Sequence, residues 1–114
     1  MSLDDLWLSN LALSRRFPAG QQPFQMVARL AEECGELAAE VNHWEATGVK
    51  REKHGEPDPA TTAKEVMDVL RAALQIASHY GLESELEACI QAGVARARDE
   101  GRLTDDDVRG RARA

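Results

Sequence analysis

The chain has 114 residues, a length that fits one domain. Its formal net charge of -6 argues against binding to nucleic-acid polymers, which takes clustered cations to displace phosphate counterions. Aromatics make up only 4%, no stretch alternates with period two, and Ala, Leu, Glu and Arg are abundant. Straight-chain residues lose little entropy in helices, so an all-α fold without a sheet is expected.

The first predicted helix covers about residues 3–16, with Leu3, Leu6, Trp7, Leu11 and Leu13 as its apolar positions. Pro18, Gly20 and Pro23 end it. The second runs from about Phe24 to Thr47, and Gly48 fits the left-handed position after a helix C-terminus. Residues 48–58 (GVKREKHGEPD) are polar, hold two glycines and a proline, and read as a loop. Asp58 then reads as an N-cap with Pro59 at the first helical position. This third helix reaches about Tyr80 and stops at Gly81. Ser84 and Glu87 have the spacing of a capping box for a fourth helix that ends near Gly101. Residues 1–103 are therefore expected to form one four-helix domain. Residues 104–114 are expected to be a short tail, with one more turn after Thr104 and a frayed, partly disordered Arg-rich end.

Cys34 and Cys89 sit among apolar residues of predicted helices, so buried free thiols are expected, which suits a reducing cytoplasm. Asp4 and Asp5 precede any basic residue, unlike a secretory leader, and the apolar runs are too short to span a bilayer. A cytoplasmic protein without membrane partners is expected.

Two helices carry clear apolar seams. In the second, Leu30, Cys34, Leu37, Val41 and Trp44 recur at alternating spacings of four and three, the pattern of a helix packed in a bundle. In the third, Val66, Leu70, Ala73 and Ala77 are widened by Val69, Leu74 and Ile76. That arc is broader than one partner helix requires, which predicts burial against several helices and a homodimer or homotetramer.

Carboxylates flank both seams. Glu33 and Glu36 are three apart, with Glu40 four further on, and Glu65 and Asp68 are three apart. Such spacings put side chains on one side of a helix in successive turns. Consecutive antiparallel helices joined by a short connection pack as neighbours, so the two acidic pairs are expected to face each other. No Lys or Arg occupies the apolar arcs. A hard divalent cation, Mg²⁺ with Mn²⁺ as a substitute, is the expected counter-charge because both prefer oxygen ligands.

Glu32-Glu33-x-x-Glu36 followed by Glu65-x-x-Asp68 resembles the EExxE…ExxD signature of MazG-like nucleoside triphosphate pyrophosphohydrolases. The surrounding LAEECGELAAEVNHW and AKEVMDVLRAALQIASHYG are also similar, and the resemblance covers about residues 22–95. It implies an all-α, four-helix bundle completed by oligomerisation, and hydrolysis of a nucleoside triphosphate to the monophosphate and pyrophosphate. It maps metal ligation onto Glu33, Glu36, Glu65 and Asp68, with Glu32 beside the site. Metal would acidify a water for attack on the α-phosphorus, and Glu32 or Glu36 would accept its proton.

Cations for the phosphates are sought in Lys50, Arg51, Lys53 and His54 of the loop, in Lys64 beside Glu65, and in Arg96 and Arg98 of the fourth helix. In that last segment the family often carries Lys and Asn, and this chain has VARAR instead. The family places the base between N-terminal elements and the bundle, which makes Trp7, Phe17 and Phe24 candidates for the base pocket. A ferritin-like di-metal site would need Glu-x-x-His pairs, and Glu36 and Asp68 stand at those positions. The non-enzymatic alternative is a helical interaction or regulatory module that uses its acidic faces to bind metal or a partner.

Overall fold

The computed structural model describes residues 3–112. Among them are six α-helices and no strand: α1 (Leu3–Arg16), α2 (Pro23–Glu45), α3 (Lys50–His54), α4 (Pro59–His79), α5 (Glu83–Asp99) and α6 (Asp105–Ala112). The all-α expectation is met, with six helices in place of four. The chain divides into two compact units, one running through Tyr80 and the other beginning at Gly81.

Local chemistry explains most boundaries of the first unit. Pro23 opens α2 at a position that needs no amide proton, and the Gln22 backbone N–H donates to Gln25 Oε1 at 3.4 Å. At its other end the left-handed residue is Ala46 (φ 57°), two residues before the expected Gly48. Asn42 secures that end by accepting from the Thr47 backbone N–H at 2.9 Å and from Thr47 Oγ1 at 3.0 Å on its side chain. Asp58 caps α4 as expected, accepting from Ala60 N–H at 3.0 Å, and Pro59 follows. The segment expected to be a loop contains α3, whose short turn ends at Gly55 with φ 74°.

Packing within this unit centres on α2 against α4, with α1 laid on α4 and α3 on α2. The pairing is antiparallel. Arg29 Nη1 of α2 donates to Gln75 Oε1 of α4 at 3.2 Å. Further along α2 and further back along α4, Thr62 Oγ1 donates to Glu40 Oε2 at 3.3 Å, and Trp44 Nε1 donates to Thr62 Oγ1 at 2.8 Å. Lys50 of α3 closes that corner with a 2.7 Å bond to Glu40 Oε1, and His43 Nε2 donates to the Gly55 carbonyl at 2.7 Å.

The inward faces differ from the expected seams. Along α2 the covered row is Met26, Leu30, Glu33, Leu37, Glu40 and His43, whereas Cys34, Val41 and Trp44 are exposed. Along α4 the covered residues include Glu65, Asp68, Ala72 and Gln75 together with Val69, Leu74, Ile76 and Ala77 of the expected arc, whereas Val66, Leu70 and Ala73 of that arc are exposed, as is Met67. Both helices are turned so that their acidic and amide-bearing edges face inward. This also corrects the expectation for the cysteines: Cys34 and Cys89 are free and exposed. The buried apolar core is thin, consisting of Leu6, Met26, Ala72 and Leu74 among the described residues.

In the second unit α5 begins at Glu83 behind Leu82, which makes no side-chain cap, so Ser84 falls inside the first turn and is not the N-cap. Thr104 and Asp107 do form a reciprocal cap for α6: Asp107 N–H donates to Thr104 Oγ1 at 3.1 Å and Thr104 N–H to Asp107 Oδ2 at 2.9 Å. With that start, α6 extends the single expected turn as far as Ala112. The last two residues of the tail expected to fray lie outside the described residues. No helix among the described residues is long and apolar enough to cross a membrane.

Met26 is the largest fully buried side chain among the described residues, at 1% exposure. Met26→Ala should lower the unfolding free energy by about 2–5 kcal/mol in denaturant titration. Asp58→Ala should cost about 0.5–2 kcal/mol through loss of the α4 cap.

Candidate functional site

The antiparallel register brings Glu33 and Glu36 of α2 opposite Glu65 of α4. One carboxylate oxygen from each of the three lies within 4.8 Å of the others. Glu33 and Glu65 are half-buried and Glu36 is exposed. Glu33 Oε2 and Glu65 Oε2 are buried atoms without a hydrogen-bond partner. Buried polar oxygens are normally satisfied, so two orphans on residues of one cluster mark a place where folding leaves acceptors open.

The electrostatics follow from that crowding. Burial pushes the Glu33 carboxyl above its ordinary value, and the charges of Glu36, Asp68 and Glu65 add to the shift. Burial also raises Glu65; the Lys64 ammonium opposes the rise, while the neighbouring Glu36 and Asp68 carboxylates reinforce it.

Asp68 is handled differently. It is 6% exposed and held by two cations of its own helix, Lys64 Nζ at 2.7 Å and Arg71 Nη2 at 2.9 Å. This corrects the view that the acidic pairs lack a protein counter-charge. Lys64 and Arg71 lie outside the apolar arc, yet their long stems reach Asp68 across one turn, Lys64 from before it and Arg71 from after it. Three carboxylates are clustered, and the fourth adjoins them already paired.

The remaining candidates separate by position. Glu32 is exposed and outside the cluster. Lys50 is committed to Glu40, and Arg51 to Glu56 at 3.5 Å and to the Trp44 carbonyl at 3.2 Å. Lys53 is exposed on α3. Lys64 lies at the cluster, 4.0 Å from Glu65 Oε1. Arg96 pairs with Glu100 at 3.5 Å within the second unit. Of the aromatics, Phe17 lines a cavity of about 270 Å³ together with Leu13, Arg29, Glu33 and Arg71. Phe24 is 89% exposed and Trp7 is half-buried with an unpartnered indole N–H; neither lines that cavity.

Arg29 and Arg71 were not among the cations chosen from the sequence. Their signal was present, since Arg29 precedes Glu33 by four residues and Arg71 follows Asp68 by three, both same-side spacings on a helix. The same spacing is equally that of an ordinary surface ion pair, so by itself it does not single them out. Glu40, four residues beyond Glu36, belongs to the structural corner with Lys50 and Thr62 and not to the cluster.

No family model, curated protein or solved structure matches the chain.

The raised carboxyls make a pH prediction. Groups whose folded-state values are raised favour the fold when protonated. Their contribution is full below the ordinary carboxylate range and is lost as pH rises through the raised values. Glu40 runs the opposite way: Lys50 holds it low, so its contribution is present above that range and lost as pH falls. Glu33→Gln removes a contribution of the first kind and leaves Glu40 intact. In metal-free buffer the variant should melt higher than the parent at neutral pH, with the difference shrinking toward acid pH. A difference independent of pH would contradict the carboxylate clash.

Proposed function

We propose that the chain is a Mg²⁺-dependent nucleoside triphosphate pyrophosphohydrolase of the MazG-like kind, acting in nucleotide-pool house-cleaning. The observation that carries this reading is the group of three carboxylates from two helices, two of them with a buried, unpartnered oxygen. An all-oxygen donor set suits Mg²⁺ or Mn²⁺. The open acceptors of Glu33 and Glu65 fit cation ligation better than they fit a finished helix interface. Glu33, Glu36 and Glu65 would hold the ion, together with the adjoining Asp68, onto which the resemblance also maps metal ligation. When bound, the ion would supply charge neutralisation for the polyphosphate and acidify a water molecule.

The chain's own groups do the rest. Water oxygen bonds to the α-phosphorus, the bond from that phosphorus to the α–β bridging oxygen breaks, and pyrophosphate leaves. Glu36, within the cluster, or Glu32, exposed beside it, accepts the proton released by the water. Phe17 offers an aromatic face at the rim of the Glu33 cavity for a base, the one aromatic candidate in that lining.

Assembly as a homodimer or homotetramer belongs to the same proposal. Val41, Trp44, Val66, Met67 and Leu70 are each more than a third exposed on α2 and α4, a wide apolar surface for a single chain. Light scattering should give twice or four times the chain mass, and a monodisperse monomer would refute it.

The catalytic test is a panel of natural and damaged nucleotides with Mg²⁺ or Mn²⁺, scored for monophosphate and released pyrophosphate. Glu36→Gln and Asp68→Asn should each lower kcat/KM by about 10²–10³-fold, equivalent to losing several kcal/mol of metal-derived stabilisation, with helicity retained. Full activity in both variants would sink the ligand assignment. Mn²⁺ at about 100 times its Kd should add about 2.7 kcal/mol of stability to the parent. Absence of both turnover and this shift would favour an interaction module with acidic helix faces.

A further inference from the structure

The cations selected from sequence for phosphate recognition are mostly engaged elsewhere: Lys50 holds Glu40, Arg51 holds Glu56, and Arg96 holds Glu100. Two unselected arginines stand where an anionic ligand beside Glu33 would lie. Arg29 and Arg71 line the same cavity of about 270 Å³ as Glu33, one from α2 and the other from α4. A cavity of that size is close to the lower end of small-molecule sites.

Arg29 is held in place by a chain of amides. Its Nη1 donates to Gln75 Oε1 at 3.2 Å, and Gln75 is only 2% exposed. Gln75 Nε2 donates to Gln21 Oε1 at 3.1 Å, and Gln21 Nε2 donates to the Phe17 carbonyl at 3.0 Å. Gly20 lies against the guanidinium from the other side: a Cβ there would sit 3.1 Å from Arg29 Nη2, and φ is 85°. A buried amide has thus been used to orient a cation that pairs with no carboxylate among the described residues. A guanidinium carries five N–H donors, so most of those on Arg29 are unspent. Arg71 is partly committed, through Nη2 to Asp68 and through Nη1 to Ser9 Oγ at 3.4 Å, and its side chain is 23% exposed.

We infer that Arg29 and Arg71 form a two-pronged anion subsite that grips the phosphate chain of the ligand beside the carboxylate cluster. The inference rests on the proposed function for its ligand class, a polyphosphate ester. Its geometry stands on the shared cavity, the lack of an ion pair for Arg29 and the buried amide that aims it. Arg29 supplies an unpaired cation, and Arg71 links the anion to Asp68 through one planar group. Guanidinium suits this task because its fork matches phosphate oxygens.

Inorganic triphosphate is the probe, since it has no base. The full chain is titrated calorimetrically with it, without metal and with Mn²⁺, in parallel with a separate Mn²⁺ titration. Arg29→Gln and Arg71→Gln should each weaken triphosphate binding about tenfold, the effect of losing one charged hydrogen bond, while Arg29→Gln leaves Mn²⁺ affinity unchanged. Arg71→Lys, which keeps the charge on Asp68, should recover part of the loss. If Arg71→Gln fails to fold by circular dichroism, Arg29→Gln, which touches no carboxylate, decides the matter. Unchanged triphosphate affinity in Arg29→Gln, or no binding by the parent chain, overturns the inference. Pyrophosphate release from nucleotides alongside unchanged affinity would reject the subsite and keep the proposed function. Arginine-dependent triphosphate binding without nucleotide turnover would keep the subsite and reject the enzyme.

Discussion

Repulsion among Glu33, Glu36 and Glu65, packed between two helices, is the constraint around which the first unit is arranged. Like charges at this separation oppose folding, and partial burial strengthens the opposition by weakening solvent screening. Part of each apolar seam is covered beside the acids, through Leu30 and Leu37 on α2 and Val69, Leu74 and Ile76 on α4, while Cys34, Val41, Val66 and Leu70 are exposed. The fold keeps the acids inside and leaves much of the apolar surface outside. A small core of this kind gains little from apolar burial, so the polar contacts across the interface carry much of the specificity.

Those contacts occur at both ends of the carboxylate cluster. On one side, Gln75 joins Arg29 to Gln21 and so ties the α1–α2 connection to α4. On the other, Glu40 collects Lys50 and Thr62, while Trp44 also reaches Thr62. Between these anchors the register cannot slip without breaking a buried polar contact. Lys64 and Arg71 neutralise Asp68 from the same helix, which lowers the local charge without filling the open oxygens of Glu33 and Glu65. The result is a preorganised acidic centre bordered by a cavity whose wall includes two guanidinium groups. It is on that combination that the proposed metal and polyphosphate binding rests.

Helix existence was legible in the sequence because its signals are local. Pro18, Gly20 and Pro23 end and restart the chain, Asp58-Pro59 caps α4, and Gly81 separates the units. The structure departs from the local signals where two of them compete. Ala46 takes the left-handed position ahead of Gly48 because Thr47 can bond back to Asn42. A charged stretch with two glycines still makes one helical turn, α3, once Lys50 can reach Glu40. The carboxylate pairs were also legible, since i, i+3 spacing on two neighbouring helices suffices to bring them to one side.

What the sequence determined by itself was an all-α chain with matched acidic pairs on consecutive helices, because capping and helical periodicity depend only on near neighbours. The tertiary structure decided which face of each helix turns inward, and therefore that Cys34 is exposed and Glu33 is not. It also decided that Asp68 is paired with cations while the three glutamates cluster, and that Arg29 and Arg71 meet at one cavity. Helix rotation is set by the sum of contacts across an interface, and a flank residue within about 100° of an apolar seam can be turned to either side by its partner helix.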